Sequence, residues 1–310
     1  MHRHQKTVGQ RLRISGIGLH SGRTVDAILS PLPVDSGIWF QRTDTPGAQP
    51  VLASVENVTD TSLATTIGSG EGSVGTMEHL LAALGGLGIC NLMVEVNGPE
   101  VPILDGSALP WTRLLRKAGI TTLQAFRPFY RVKRPFAVSV TDDSGTKTVS
   151  AEPAPAFSVE CEIEFPGYVD AQRRRFSFSK SAFVSQIAPA RTFCLEKDVE
   201  AMQKAGKALG GGLDNAVVIG GSGRVLNPEG LRFRDECVRH KILDFVGDMS
   251  LAGLPVVGHF TAVKTGHTLN RSFLEALLRT PGVLEKVTPG SEGKVETFEL
   301  PPIPAAAMAF

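Results

Sequence analysis

Polar and apolar positions alternate in short runs over the first third of the chain. Residues 11–17, 24–29, 37–41 and 92–96 have the two-residue period of strands, and Gly, Pro, Asp and Ser clusters bound them. Two stretches of helical period interrupt them. In 77–84, Leu80, Leu81 and Leu84 share one face and Gly85-Gly86 follows as an expected C-cap; in 109–118, Trp111, Leu114 and Leu115 form the buried side. Residues 127–135, RPFYRVKRP, fit neither period and predict a domain boundary. Beyond them the grammar repeats. Strands are expected at 136–140, 147–152 and 158–165, then helices near 181–187, 196–205, 235–251 and 269–278. The prediction is an α+β fold of two domains, 1–126 and 127–300, with a loose tail at 301–310.

One of these helices is unusual. Glu236, His240, Asp244 and Asp248 fall four apart on a single stripe, while Val238, Ile242, Phe245, Val246 and Met249 form the apolar side. No Lys or Arg at i+4 offsets the repulsion within that stripe, and a cation would. Histidine and aspartate one turn apart present a nitrogen and an oxygen to the same point. Taken alone, the stripe reads equally well as a solvated acidic face.

Composition narrows the class. A 310-residue chain with 42% hydrophobic and 20% charged residues is that of a globular protein with room for two cores. The net charge of +1 gives no basis for nucleic-acid binding. No apolar run spans a bilayer, and MHRHQKTVGQRLRI lacks the apolar core of a signal peptide, so a cytoplasmic location is expected. Cys90, Cys161, Cys194 and Cys237 are widely spaced, as reduced thiols in or near a core would be.

A second stretch, Thr76-Met77-Glu78-His79-Leu80, opens the helix at 77–84, with Thr76 as the expected N-cap. Neighbours on a helix point about 100° apart, so His79 is placed to ligate an ion while Glu78 reaches a water beside it. His79, His240 and Asp244 make a three-ligand set with a fourth tetrahedral position open, suited to Zn²⁺, with Fe²⁺ or Co²⁺ as alternatives. His267, in Lys264-Thr265-Gly266-His267, stands before the last helix where its ring is expected to be exposed; a histidinium near Asp248 would donate a proton to a leaving amine. His2 and His4 fall in the terminus, His20 in a turn, and His259 in a strand pattern expected in the core.

Gly70-Glu71-Gly72-Ser73-Val74-Gly75 also matches the G-x-G-x-x-G of dinucleotide folds, with Glu95 near the position of a ribose-binding acid. The run before it is a poor parallel strand and Glu95 lies inside a strand pattern, so a glycine-rich hairpin is expected. A dinucleotide-dependent oxidoreductase and a metal-free binding protein for acylated UDP-sugars remain the rival classes. Gly210-Gly211-Gly212 lacks the Lys-Ser/Thr of a phosphate loop and reads as a flexible turn.

GIGLHSG, TMEHLLAAL, ILDGSALPW, ARTF, GGGLDNAVV, LRFRDECVRHKILDFVGD and KTGHTLN, in this order, closely resemble the UDP-3-O-acyl-N-acetylglucosamine deacetylases of lipid A biosynthesis. The resemblance implies two domains of similar topology, each a layered sheet-and-helix unit, with helices packed between the two sheets and zinc at the junction. It implies a hydrolase that releases acetate from the 2-acetamido group of a UDP-glucosamine bearing a 3-hydroxyacyl chain, working as a monomer. The family's metal ligands fall on His79, His240 and Asp244, its general base on Glu78 and its leaving-group histidine on His267. Asp248 matches the carboxylate that orients this histidine, Thr192 the hydroxyl at the oxyanion, and Lys241 a charge-stabilising lysine. Lys264 matches a position associated with the diphosphate and Phe165 one beside the uracil. Phe193, Leu195, Val199, Met202 and Leu209 correspond to an apolar passage for the acyl chain. Two positions depart: Ala64 stands where some members carry a cysteine near the metal, and Gly212 replaces a common serine.

Overall fold

A computed structural model describes residues 4–143, 145–290 and 295–299; His2 and the expected tail at 301–310 lie outside the described residues. Two five-stranded sheets organise the chain. The N-terminal sheet has the spatial order Leu12–Ile17, Thr24–Pro31, Leu92–Val96, Ile38–Arg42, Val51–Leu52. Its pairs are antiparallel except the one between Leu92–Val96 and Ile38–Arg42. The C-terminal sheet runs Phe136–Asp142, Gly145–Glu152, His259–Val263, Ser158–Phe165, Val169–Ser177, and its one parallel pair joins His259–Val263 to Ser158–Phe165. The two sheets therefore share one plan, in which the strand latest in sequence is inserted at the centre. A parallel neighbour needs a long crossover rather than a hairpin, and in each half that crossover carries a helix.

In chain order the α-helices are α1 (Glu78–Leu87), α2 (Leu109–Lys117), α3 (Lys180–Ala182), α4 (Glu196–Lys204), α5 (Glu236–Met249) and α6 (His267–Arg279). α1 precedes the central strand of its sheet and α2 follows it; α5 and α6 stand in the same relation to His259–Val263. Apart from Gly85, every residue of α1 is buried, the signature of a helix enclosed on all sides. Its main helical neighbour is α5, which also packs on the strands Ser158–Phe165 and Val169–Ser177. Gly247 makes the close approach: a Cβ there would fall on the backbone of Glu78. The first turn of α1 is thereby held against the last turn of α5.

Several elements differ from the sequence expectation. α1 does not stop before Gly85-Gly86 but continues to Leu87 and is capped by Gly88 at φ 80°. The glycine pair is needed inside the helix, because Phe183 occupies the space of a Gly86 side chain and the Ser250 hydroxyl that of Gly85. Thr76 does not cap α1 either. It is left-handed at φ 55°, and its hydroxyl donates to the buried Glu100. The helix near 181–187 divides into α3 and a π-turn at Phe183–Ile187. Phe129–Val132 forms a strand inside the interval 127–135 and pairs with Val256–Val257 and Leu284–Pro289. Val169–Ser177 is a strand where the sequence pattern predicts none, because its exposed face is charged, with Arg173 paired to Glu160 across the ladder. The Gly70–Gly75 stretch is a hairpin turn: Ile67 and Val74 exchange both backbone hydrogen bonds around it, as expected.

The four cysteines are free thiols, Cys161 and Cys237 buried, Cys90 and Cys194 half-buried. Among the described residues no helix is long and apolar enough to cross a membrane.

Candidate active site

α1 and α5 bring three side chains from distant parts of the sequence to one point. Ligand atoms of His79, His240 and Asp244 all lie within 4.8 Å of one another, and all three residues are buried. His240 Nε2 is 3.2 Å and His79 Nε2 is 3.8 Å from Asp244 Oδ1. The two rings stand edge to face with centroids 4.9 Å apart. His240 Nδ1 lies 3.1 Å from the carbonyl of Ala190, to which it donates, and this holds Nε2 turned towards Asp244.

Burial, with His240 beside it, pushes the His79 imidazole down to about 3, so it is neutral and offers a lone pair. Burial opposes the Asp244 charge, yet His240 and Lys241 hold the carboxyl well below its usual range. A carboxylate oxygen therefore faces two imidazole nitrogens, and Oδ1 itself is sealed from solvent with no hydrogen-bond partner. A buried oxygen left in that state is costly unless an ion or ligand meets it. Two imidazole nitrogens and a carboxylate oxygen are donors suited to a divalent cation such as zinc.

Beside this cluster stands an acid–base pair. Glu78 Oε1 is 3.8 Å from His267 Nε2. Burial raises the Glu78 carboxyl to about 7, with His267 opposing the shift. Burial likewise opposes the His267 charge, but the Asp248 carboxylate outweighs it and lifts the imidazolium to about 10. His267 Nδ1 lies 2.9 Å and 3.1 Å from the two Asp248 oxygens. The ring is not exposed as its loop position suggested; Asp248, Thr65 and Glu78 surround it, and only 9% of the residue meets solvent.

Two groups absent from the sequence reading hold this pair. Thr65 donates its hydroxyl to Asp248 Oδ1 at 2.8 Å and its backbone N–H to Glu78 Oε2 at 3.2 Å. Asn270 Nδ2 donates to Asp248 Oδ2 at 2.8 Å. Asn270 sits three residues after His267, a helical spacing that was readable; Thr65 gave no comparable signal. The expectation of an unpaired stripe on α5 also needs correction. Glu236 accepts from the side chain and backbone of the buried Arg191, Asp244 Oδ2 from Lys241 Nζ at 2.9 Å, and Asp248 from the groups above. What remains without a partner is Asp244 Oδ1.

Of the other predicted residues, Phe193 and Lys241 touch the cluster. Phe193 lies edge-on to His240 at 6.3 Å and to Phe165 at 5.5 Å, with Lys241 Nζ 5.8 Å from its centroid. Thr192 is fixed by its backbone, its N–H donating to Gly106 at 2.7 Å and its carbonyl accepting from Val217 at 2.8 Å. Lys264 Nζ is paired with Glu164 at 2.7 Å. Leu195 is buried, Val199 and Met202 are half-buried on α4, and Leu209 is 54% exposed. The triglycine is not a free turn: Gly210 donates to the carbonyl of Leu19, docking the segment on the His20 loop. His259 is only half-buried, with Nδ1 2.8 Å from the Ser158 hydroxyl.

A three-donor cation site, a buried carboxylate of raised pKa and a carboxylate-paired histidine together have the form of a metal-assisted hydrolase centre. The kind of hydrolase is specified by likeness to known proteins. The chain belongs to the LpxC family of UDP-3-O-acyl N-acetylglycosamine deacetylases, whose profile matches residues 5–279. The UDP-3-O-acyl-N-acetylglucosamine deacetylase of Geobacter sp. (strain M21) is 47% identical over 278 residues, covering 89% of this chain and 90% of the relative. The enzyme of the same name from Myxococcus xanthus is 44% identical over 297 residues, 96% of this chain and 93% of the relative. That from Syntrophotalea carbinolica is 43% identical over 307 residues, 99% and 98% respectively.

Proposed function

We propose that this protein removes the acetyl group from UDP-3-O-(3-hydroxyacyl)-N-acetylglucosamine, giving the free amine and acetate in lipid A biosynthesis, with Zn²⁺, or Fe²⁺ in its place, held by His79, His240 and Asp244. The observation that carries the reading is Asp244 Oδ1, buried, lacking a hydrogen bond and facing two imidazole nitrogens. A bound ion of this kind would supply Lewis-acid polarisation of the amide carbonyl and acidify water at the open position.

The chain's own groups account for the proton movements. Glu78 Oε1 takes a proton from the attacking water as oxygen adds to the amide carbon. His267 Nε2, cationic through neutral pH because of Asp248, gives its proton to the departing nitrogen as the C–N bond breaks. Thr192 and Lys241 are assigned to the developing oxyanion. Lys264 serves the diphosphate and Phe165 the uracil, while Phe193, Leu195, Val199, Met202 and Leu209 receive the acyl chain. We read residues 1–126 as the domain supplying Glu78 and His79, and 127–300 as the domain supplying His240, Asp244 and His267. Since one chain supplies every one of these groups, a monomer suffices. The free thiols and nucleotide-activated substrate suit the cytoplasm.

The test is a pair of variants assayed for acetate release and bound metal. Glu78→Ala is expected to keep stoichiometric metal while turnover falls about 10²–10⁴-fold; His79→Ala is expected to lose both. Near-normal turnover in Glu78→Ala removes the base assignment, and wild-type protein without stoichiometric metal removes the whole reading.

A further inference from the structure

α1 presents the metal cluster at its first turn, and a different feature borders its other end, roughly 9 Å further along the axis at 1.5 Å per residue. There a cavity of about 200 Å³ opens. Ile38 and Leu52 come from the N-terminal sheet, Val246 and Met249 from α5, and Ile89 and Phe157 complete the apolar wall. The volume exceeds that of the roughly 150 Å³ apolar cavity that takes up benzene.

One lining residue breaks the apolar character. Arg127 is the only charged side chain among those that line the cavity, and none of them is acidic. Its Nη1 donates to the Gly88 carbonyl at 3.3 Å, while its Nε is sealed from solvent and has no hydrogen-bond partner. Burial pulls the guanidinium below its usual range, with the Cys90 thiol the only group opposing that shift. Burial, with Lys180 and Arg127 nearby, holds the Lys6 ammonium below its usual range, so the neighbourhood is cationic. Arg127 sets a guanidinium at the wall of an apolar cavity with no acidic partner among the lining residues, and the natural complement of its fork is a planar anion.

We propose that this cavity is a second ligand site, for a small apolar monocarboxylate whose carboxylate meets Arg127 and whose hydrocarbon body lies on Ile38, Leu52, Phe157 and Met249. A single carboxylate balances the single cation of the lining, and apart from Ser250 and Cys90 the other side chains of the wall are apolar. The site is distinct from the acyl passage near Phe193 and does not rest on the deacetylase reading.

Octanoate and octanol, titrated calorimetrically into the metal-loaded full-length protein, test the assignment. Octanoate is expected to bind saturably with one equivalent per chain assigned to this cavity, and octanol at least about tenfold more weakly, the cost of losing a charged hydrogen bond. Arg127→Gln is expected to weaken octanoate by a similar factor and to leave octanol unchanged. Ala156→Trp places a large ring in the exposed loop at the cavity, where the fold tolerates it, and is expected to block both ligands. No saturable binding by the wild type, or octanoate affinity unchanged in Arg127→Gln and Ala156→Trp alike, overturns the proposal; the second result puts the acid elsewhere on the protein.

Discussion

α2 and α6 occupy the same place in the two halves, each following the central strand of its sheet, yet they begin differently. α2 opens on Leu109, Pro110 and Trp111, whereas α6 opens on His267 and carries Asn270 one turn later. The helices before those strands differ as well. α1 is apolar except for Glu78 and His79 at its start, while α5 carries Glu236, His240, Asp244 and Asp248 along its buried side. One topology thus serves twice, and the chemistry gathers where the N-terminal end of α1 meets the C-terminal half. The half that carries more buried charge also carries the partners that neutralise it: Arg191 for Glu236, Lys241 for Asp244, His267 for Asp248. Repeating a fold supplies positions; it does not supply reactivity.

The largest expected effect tests whether those partners hold the C-terminal half together. Arg191→Met leaves Glu236 buried with no guanidinium and is expected to cost about 3–5 kcal/mol in urea unfolding. It should also loosen the Ala190 carbonyl that orients His240. A cost below about 1 kcal/mol would show that the ion pair does not anchor this segment. Gly247→Ala addresses the contact between halves. Its Cβ must push the backbone of Glu78 away, and a loss of about 1–3 kcal/mol is expected, with a fall in turnover at unchanged metal content.

Asp248→Asn isolates the charge that sets His267. The raised His267 pKa means that the protonated acid persists through neutral pH and is lost as pH rises through about 10. Removing the Asp248 charge lowers that pKa, so the alkaline limb of the rate profile should move down by at least about one unit, equivalent to about 1.4 kcal/mol. A limb that stays in place assigns the alkaline titration to another group. The smallest effect is expected on the outer surface: Glu200→Ala removes an exposed pair with Lys204 on α4 and should change stability by less than about 0.5 kcal/mol.

Periodicity located four of the five strands of the N-terminal sheet and the stripe on α5, because side-chain direction follows directly from residue number. It failed where tertiary contacts override local preference. Gly85-Gly86 reads as a helix end, but Phe183 and Ser250 require small residues there. Thr76 reads as a cap, but Glu100 takes its hydroxyl. His267 reads as exposed, but Thr65, 202 positions earlier, closes over it.

By itself the sequence determined which residues carry donors and on which face of which element each sits, since both follow from chemistry and local period. Only the tertiary structure decided that His79 meets His240 and Asp244, that Thr65 links Glu78 to Asp248, and that Arg127 faces an apolar cavity. Those encounters depend on how closely α1 and α5 approach at Gly247. That distance is set by packing between segments far apart in the chain, and no local pattern encodes it.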